Sequence, residues 1–177
     1  MRPPNSTTWK LAAAVALAVF AVAFVSERFG GFHRTGEEGA GVWFYDQSAK
    51  RLYAMPRDTL PPDKGIGGPS GDGVRAVVVA FRGEQNDPRK RRIAYLESYT
   101  PELKQLLDQI RTAHVSGQPF AGGVPARNSD FVQTNTLVKS VEDSAWHAAS
   151  SPEGQRAMTA WRSWRGPDGQ APVICVP

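Results

Sequence analysis

The chain has 177 residues, one cysteine and a formal net charge of +4. A single cysteine excludes an internal disulfide and every paired-thiol metal motif, and the length suits one domain with a real core. Arg2 and Lys10 lie at the amino end, so the chain from Glu27 onward carries 19 basic against 17 acidic residues, too even a balance for a nucleic-acid footprint.

Arg2 and Lys10 precede an uncharged run from Leu11 to Val25, fifteen residues of which seven are alanine. As a helix it spans about 22 Å at ~1.5 Å per residue, against a bilayer core roughly 30 Å thick. Trp9 at the interface, Lys10 snorkelling outward and Ser26 at the far end extend it. The expectation is an uncleaved transmembrane anchor over 11–26, a cytoplasmic tail over 1–10 and an extracytoplasmic body. The rival reading is a signal peptide cut near Ala23, where Ala21 and Ala23 form the A-x-A arrangement; the body is then secreted. No cysteine stands directly after the apolar run, the chain's single one being Cys175, which excludes a lipid anchor of the bacterial lipoprotein type. Residues 27–41 are glycine-rich and charged, the composition of a flexible linker.

The body, 42–177, opens with Val42 to Asp46 and Arg51 to Met55, two β-prone runs around a short turn that predict a hairpin. Prolines 56, 61, 62 and 69, interleaved with glycines up to Gly73, predict a long irregular loop. Val74 to Arg82 is β-branched and apolar on both faces except at Arg75, which predicts a central strand covered on both sides. Arg91 to Tyr99 is its expected antiparallel partner. Thr100-Pro101-Glu102 is a helix start: a hydroxyl cap, proline in the first turn and a carboxylate on the positive end. Leu103, Leu106, Leu107 and Ile110 then form one apolar stripe, and Gly117 and Pro119 end the helix. Alternation over Leu137, Lys139 and Val141 predicts a strand within Phe131 to Val141. Ser151-Pro152-Glu153 repeats the cap logic for a shorter helix with Ala157, Met158, Trp161 and Trp164 on one face. Val173 to Val176 predicts a terminal strand with Cys175 buried in it.

Motifs that carry chemistry are absent. The run Gly65 to Gly73 lacks the G-x-G-x-x-G spacing of a dinucleotide loop, lacks the Lys-Ser/Thr of a phosphate loop, and precedes a strand where both need a helix. Ser70 is not in G-x-S-x-G order. His33, His114 and His147 share no metal-ligand spacing. No catalytic, cofactor or metal residue is therefore assigned. A composite site built from distant carboxylates and a histidine leaves no local trace and stays open. Two features fit partner binding. Arg89-Lys90-Arg91-Arg92 is the densest basic run, either a solvated turn or a patch for an anionic glycan or lipid headgroup. Trp43 and Tyr45 share one face of the first strand; helices cover that face, or it is a platform for a partner or carbohydrate.

Trp43 to Asp46 (WFYD), Pro61-Pro62, Gly73 to Val78 (GVRAVV), Tyr95 to Glu102 (YLESYTPE) and the W-x-x-x-x-S-x-E-G run from Trp146 to Gly154 together resemble a family of uncharacterised bacterial envelope proteins with an N-terminal anchor. The resemblance covers most of the body and implies location and fold, but no activity. Members often carry a cysteine pair after the central strand and a cysteine ahead of the terminal one. Phe81 to Gln85 and Trp161 to Arg165 have no cysteine here, so any role of those thiols is missing.

The chain is expected to fold as an α+β body, a small antiparallel sheet of about five strands with two packed helices, preceded by one transmembrane helix. Its expected role is a non-enzymatic binding or scaffold module held at the membrane, with Trp43, Tyr45, Arg89, Lys90, Arg91 and Arg92 as the partner surface. The partner is an envelope protein or an anionic glycan or lipid, not a nucleic acid. The alternatives are an envelope hydrolase with a composite site and a structural subunit of a membrane complex.

Overall fold

Strand β1 (Val42–Asp46) pairs antiparallel with β2 (Arg51–Met55), Val42 opposite Met55 and Asp46 opposite Arg51, in a computed structural model that describes residues 41–67, 70–126 and 129–177. The expected anchor and all of the linker before Gly41 lie outside these residues. Among the described residues no helix is long and apolar enough to cross a membrane. The β1–β2 turn closes on Asp46, whose Oδ1 accepts the Ala49 N–H at 2.7 Å, while Lys50 takes a left-handed φ of 52°. The other carboxylate oxygen accepts the Ile66 N–H at 2.6 Å. Asp46 is wholly buried, and it staples the proline–glycine loop onto the hairpin. Gly65 permits this approach, since a Cβ there would overlap the Asp46 carboxylate.

Within that loop Asp63–Lys64 form a short strand, β3, on the edge of β4 (Ser70–Ala80). β4 pairs β5 (Arg92–Tyr99), with a bulge that leaves Ala94 between the Val77–Tyr95 and Val78–Ile93 pairs. Helix α1 (Pro101–Val115) begins where the sequence places it: Thr100 Oγ1 accepts the Leu103 N–H, proline opens the helix, and Glu102 sits in the first turn. Ser116 caps the end and Gly117 follows with φ +66°, the left-handed exit that glycine takes without strain. Helix α2 (Asp130–Asn135) leads into β6 (Thr136–Lys139). β7 (His147–Ala148), helix α3 (Pro152–Thr159), a 3-10 turn over Ala160–Ser163 and β8 (Val173–Cys175) complete the chain.

The architecture is α+β with one antiparallel sheet, in the order β2-β1-β4-β5-β6-β7, with β3 and β8 also paired to β4. The sheet has eight strands rather than about five, and three α-helices rather than two are described. The reason is local. β3 and β7 are two residues long, too short to show a period of their own, and they exist because a neighbour offers unpaired backbone groups. Phe131 to Asn135, expected as strand, is helical because Ser129 accepts the Val132 N–H and Asp130 favours the positive helix end. β4 is paired on one edge by β5 and on the other by β1 over its first half and β8 over its second.

Register sorts the side chains into two faces. On one, Val74, Ala76, Val78, Ala80, Leu96 and Cys175 form a buried cluster, against which Trp43, Tyr45, Leu52, Ile93, Val141 and Trp146 pack half-buried. All of these come from strands or from the loop after β6, none from a helix. On the other face a single row crosses the sheet: Tyr53, Phe44, Arg75, Glu97, Val138 and His147. Arg75 Nη1 donates to Glu97 Oε1 and to the Tyr99 hydroxyl, both at 3.2 Å. Its Nη2 donates to the Thr59 carbonyl at 3.1 Å. Lys104 of α1 donates to the Pro62 carbonyl, and Arg111 to that of Asp58. The long loop is thereby held between this sheet face and α1. Burial is the largest single influence and works against the Arg75 charge, but the Glu97 carboxylate together with Tyr99 and Tyr95 outweighs it and raises the pKa.

Candidate functional site

Strand alternation divides the basic run. Arg91 precedes β5 and turns to the face of the buried cluster, where its guanidinium lies 5.1 Å from the centre of the Trp43 ring. Its Nε donates to the Gln85 carbonyl at 2.9 Å, which fixes the head over the indole. Arg92 pairs with Val79 and belongs to the opposite face, where it lies 5.6 Å from the Phe81 ring centre. Lys90 is exposed and pairs with Glu84 at 3.5 Å. Arg89 is exposed, and its N–H donates to Asp87 Oδ1 at 2.9 Å, so the turn is shaped by the backbone and its cation stays in solvent. Of the six expected partner-surface residues, the structure brings Trp43 and Arg91 into contact and sets Tyr45 on the same face as Trp43. Arg89 and Lys90 stand beside that contact, and Arg92 leaves it for the other side.

A second stacked pair was not legible in the sequence. Lys139 Nζ lies 5.0 Å from the centre of the Trp146 ring and donates to the Asp143 carbonyl at 3.1 Å. Lys139 is opposite Leu96, so it belongs to the Trp43 face. The alternation at Leu137, Lys139 and Val141 marks that face, but nothing local shows that a loop returns Trp146 onto the lysine. The two pairs and Tyr45 make this face aromatic and cationic together, with cations held by the ring quadrupoles. Burial, then the Asp46 and Glu142 charges, raises the Tyr45 pKa. Trp43 Nε1 is buried with no hydrogen-bond partner among the described residues. Cys175 is a buried free thiol; burial raises its pKa and the nearby Arg91 charge opposes the rise.

The connection between β4 and β5 adds exposed Arg82 to Arg89 and Lys90, against Glu84 and Asp87. Gly166 packs against Phe81, which brings the segment with exposed Arg162 and Arg165 to the same end of the sheet. The hairpin supports this end as well: β1 runs antiparallel to β4, so its amino end points towards the basic connection. Gly41, where the described chain enters the body, lies against Pro177.

The two described histidines stand on different elements. His114 is exposed in the last turn of α1. His147 lies on β7, where its charge helps lower the Asp143 pKa, behind the larger effect of the Ser140 side-chain hydrogen bond. A groove of about 740 Å³ runs along α1 from Pro101 to Phe120 and includes the carboxylate of Asp108 but neither of these histidines. Among the described residues no group of three His, Cys, Asp or Glu side chains is placed to hold a metal ion. The chain was compared with protein-family models, with curated proteins and with solved structures, and none of the three gives a match.

Proposed function

We propose that the chain is a membrane-tethered, extracytoplasmic binding module whose partner surface is the aromatic and basic end of the sheet, and that its partner is anionic. The Arg91–Trp43 stack carries this reading, because it joins two independent sequence signals at one place. Arg91 is held over the indole by Gln85 and Trp43, so little side-chain freedom is lost when a ligand anion arrives. The exposed cations of the β4–β5 connection surround it and raise the local anion concentration. An anchor over 11–26 would hold the module near its partner and raise the effective concentration further. The resemblance to envelope proteins favours the same location. A hydrolase is supported among the described residues by no more than the nearness of His147 to the Asp143 carboxylate.

The test is a titration of the full chain, in zwitterionic detergent, with dextran sulfate as a polyanion probe, read by tryptophan fluorescence. Binding is expected to weaken with salt and with Arg91→Gln, and the fluorescence change is expected to shrink in Trp43→Phe. Binding that ignores salt and both substitutions would reject the surface.

A further inference from the structure

The basic end of the sheet has an apolar neighbour on the Arg92 face, opposite the Arg91–Trp43 stack, and it deepens this reading. Ile174 and Val176 are 39% and 41% exposed at the carboxyl end, next to Pro177 and hence to Gly41. Ile174 is opposite Val79 on the second half of β4, towards the basic connection. β8 runs antiparallel to β4, so Ile174 shares the Arg92 face beside the basic connection with its exposed Arg82, Arg89 and Lys90, and Val176, Pro177 and Gly41 follow towards the middle of β4. Long cationic side chains beside an aliphatic group suit a water–lipid boundary: the stems tolerate the apolar side and the charged heads reach phosphate. We propose that this end of the body docks on the headgroups of an anionic lipid bilayer, the same bilayer that would hold the anchor. Three arguments name that occupant over an acidic glycan. The surface is cationic, as lipid phosphate requires. The exposed apolar side chain beside the basic connection, Ile174, is aliphatic and gains from acyl chains. Gly41 enters in the half of the sheet nearer this end, the side from which a membrane tether would hold the body. The inference rests on the tethered reading, and the experiment separates the two.

The full chain is reconstituted into vesicles of phosphatidylcholine alone, or of phosphatidylcholine with phosphatidylglycerol, and amide hydrogen exchange is followed over 82–92 and 173–176. Helix α1 serves as the internal reference for folding. Exchange at both segments is expected to slow roughly tenfold in the anionic vesicles, with α1 unchanged, and to recover in high salt. Arg89→Gln with Lys90→Gln is expected to remove most of the protection while α1 still reports a folded body. Equal exchange in the two vesicle types, with the chain still held after a carbonate wash, overturns the docking and leaves the tether standing. Release of the chain by carbonate overturns the tether and the docking with it. Protection by a soluble acidic glycan but not by phosphatidylglycerol overturns the lipid assignment in favour of the glycan.

Discussion

Replacing Arg75 by methionine should cost far more than the loss of a surface ion pair. The Arg75 side chain is 22% exposed and that of Glu97 9%, with 3.2 Å between Nη1 and Oε1. The arginine also donates to the Tyr99 hydroxyl and the Thr59 carbonyl. Methionine fills the space of the stem but leaves Glu97 charged and buried, with the Tyr99 hydroxyl donating to it at 3.1 Å. Breaking a buried pair by removing one partner costs ~3–5 kcal/mol. Water reaches about a fifth of the arginine, which places the expected loss near the low end, ~3 kcal/mol. With a urea slope of ~1.5 kcal/mol per molar for a body of this size, the midpoint should fall by about 2 M. The loop over 56–62 should also become sensitive to protease, since Thr59 loses its arginine donor. The double variant Arg75→Met with Glu97→Leu removes the orphaned charge and should recover to within ~1 kcal/mol of the parent. A single-variant loss below ~1 kcal/mol, or a double variant as unstable as the two singles combined, would refute the claim that desolvation governs this site.

Four further outcomes follow from named contacts. Thr100→Ala should lower stability by ~1 kcal/mol in urea, because the hydroxyl caps α1 and also donates to Asn135 Oδ1 at 2.8 Å; an unchanged midpoint would remove the cap from the account. Gly154→Ala forces a Cβ into the Ala148 carbonyl oxygen, and overpacking against backbone at this first turn of α3 should cost ~1–3 kcal/mol in thermal unfolding. The Asp46 carboxyl has its pKa lowered, chiefly by the Ala49 N–H and then by Ile66 against opposing burial. A depressed folded-state value means the contribution is full above the unfolded carboxyl pKa of ~3.9 and is lost as pH falls through the lower folded value. Asp46→Asn should therefore flatten the stability profile below about pH 4 and lower the plateau at neutral pH; a parallel acid slope in parent and variant would contradict this. Cys175 should react slowly with iodoacetamide in the native protein at neutral pH and rapidly in urea, because burial raises its pKa. Equal rates would show an open thiol.

How much could be read from the sequence depended on how local the cause was. The hairpin at 42–55 follows from β-prone runs around a turn, and α1 and α3 begin at Thr100 and Ser151 because a hydroxyl cap followed by proline and glutamate is a local instruction. β4 and β5 follow from apolar runs, and the burial of Cys175 from its place in a terminal apolar triplet. Phe131 to Asn135 misled because its apolar residues suit a strand, while the deciding event is a serine hydroxyl two residues upstream of Phe131 meeting the Val132 N–H. β3 and β7 could not be seen at all, since two-residue strands are chosen by the edge they join.

The same division holds for the candidate site. Composition and order alone marked Trp43, Tyr45 and the run Arg89 to Arg92 as exceptional, because aromatic alternation and dense charge are properties of consecutive residues. Tertiary structure decided that Arg91 and Arg92 serve opposite faces, that Arg91 rests on Trp43 from 48 residues earlier in the chain, and that Lys139 meets Trp146 across a loop. It also decided that Gly41, Pro177 and the basic connection occupy one half of the sheet. Local hydrogen bonds and side-chain periods act within a few residues and are written in order along the chain. Pairing register and loop return act between residues far apart, and only the folded sheet brings those residues together.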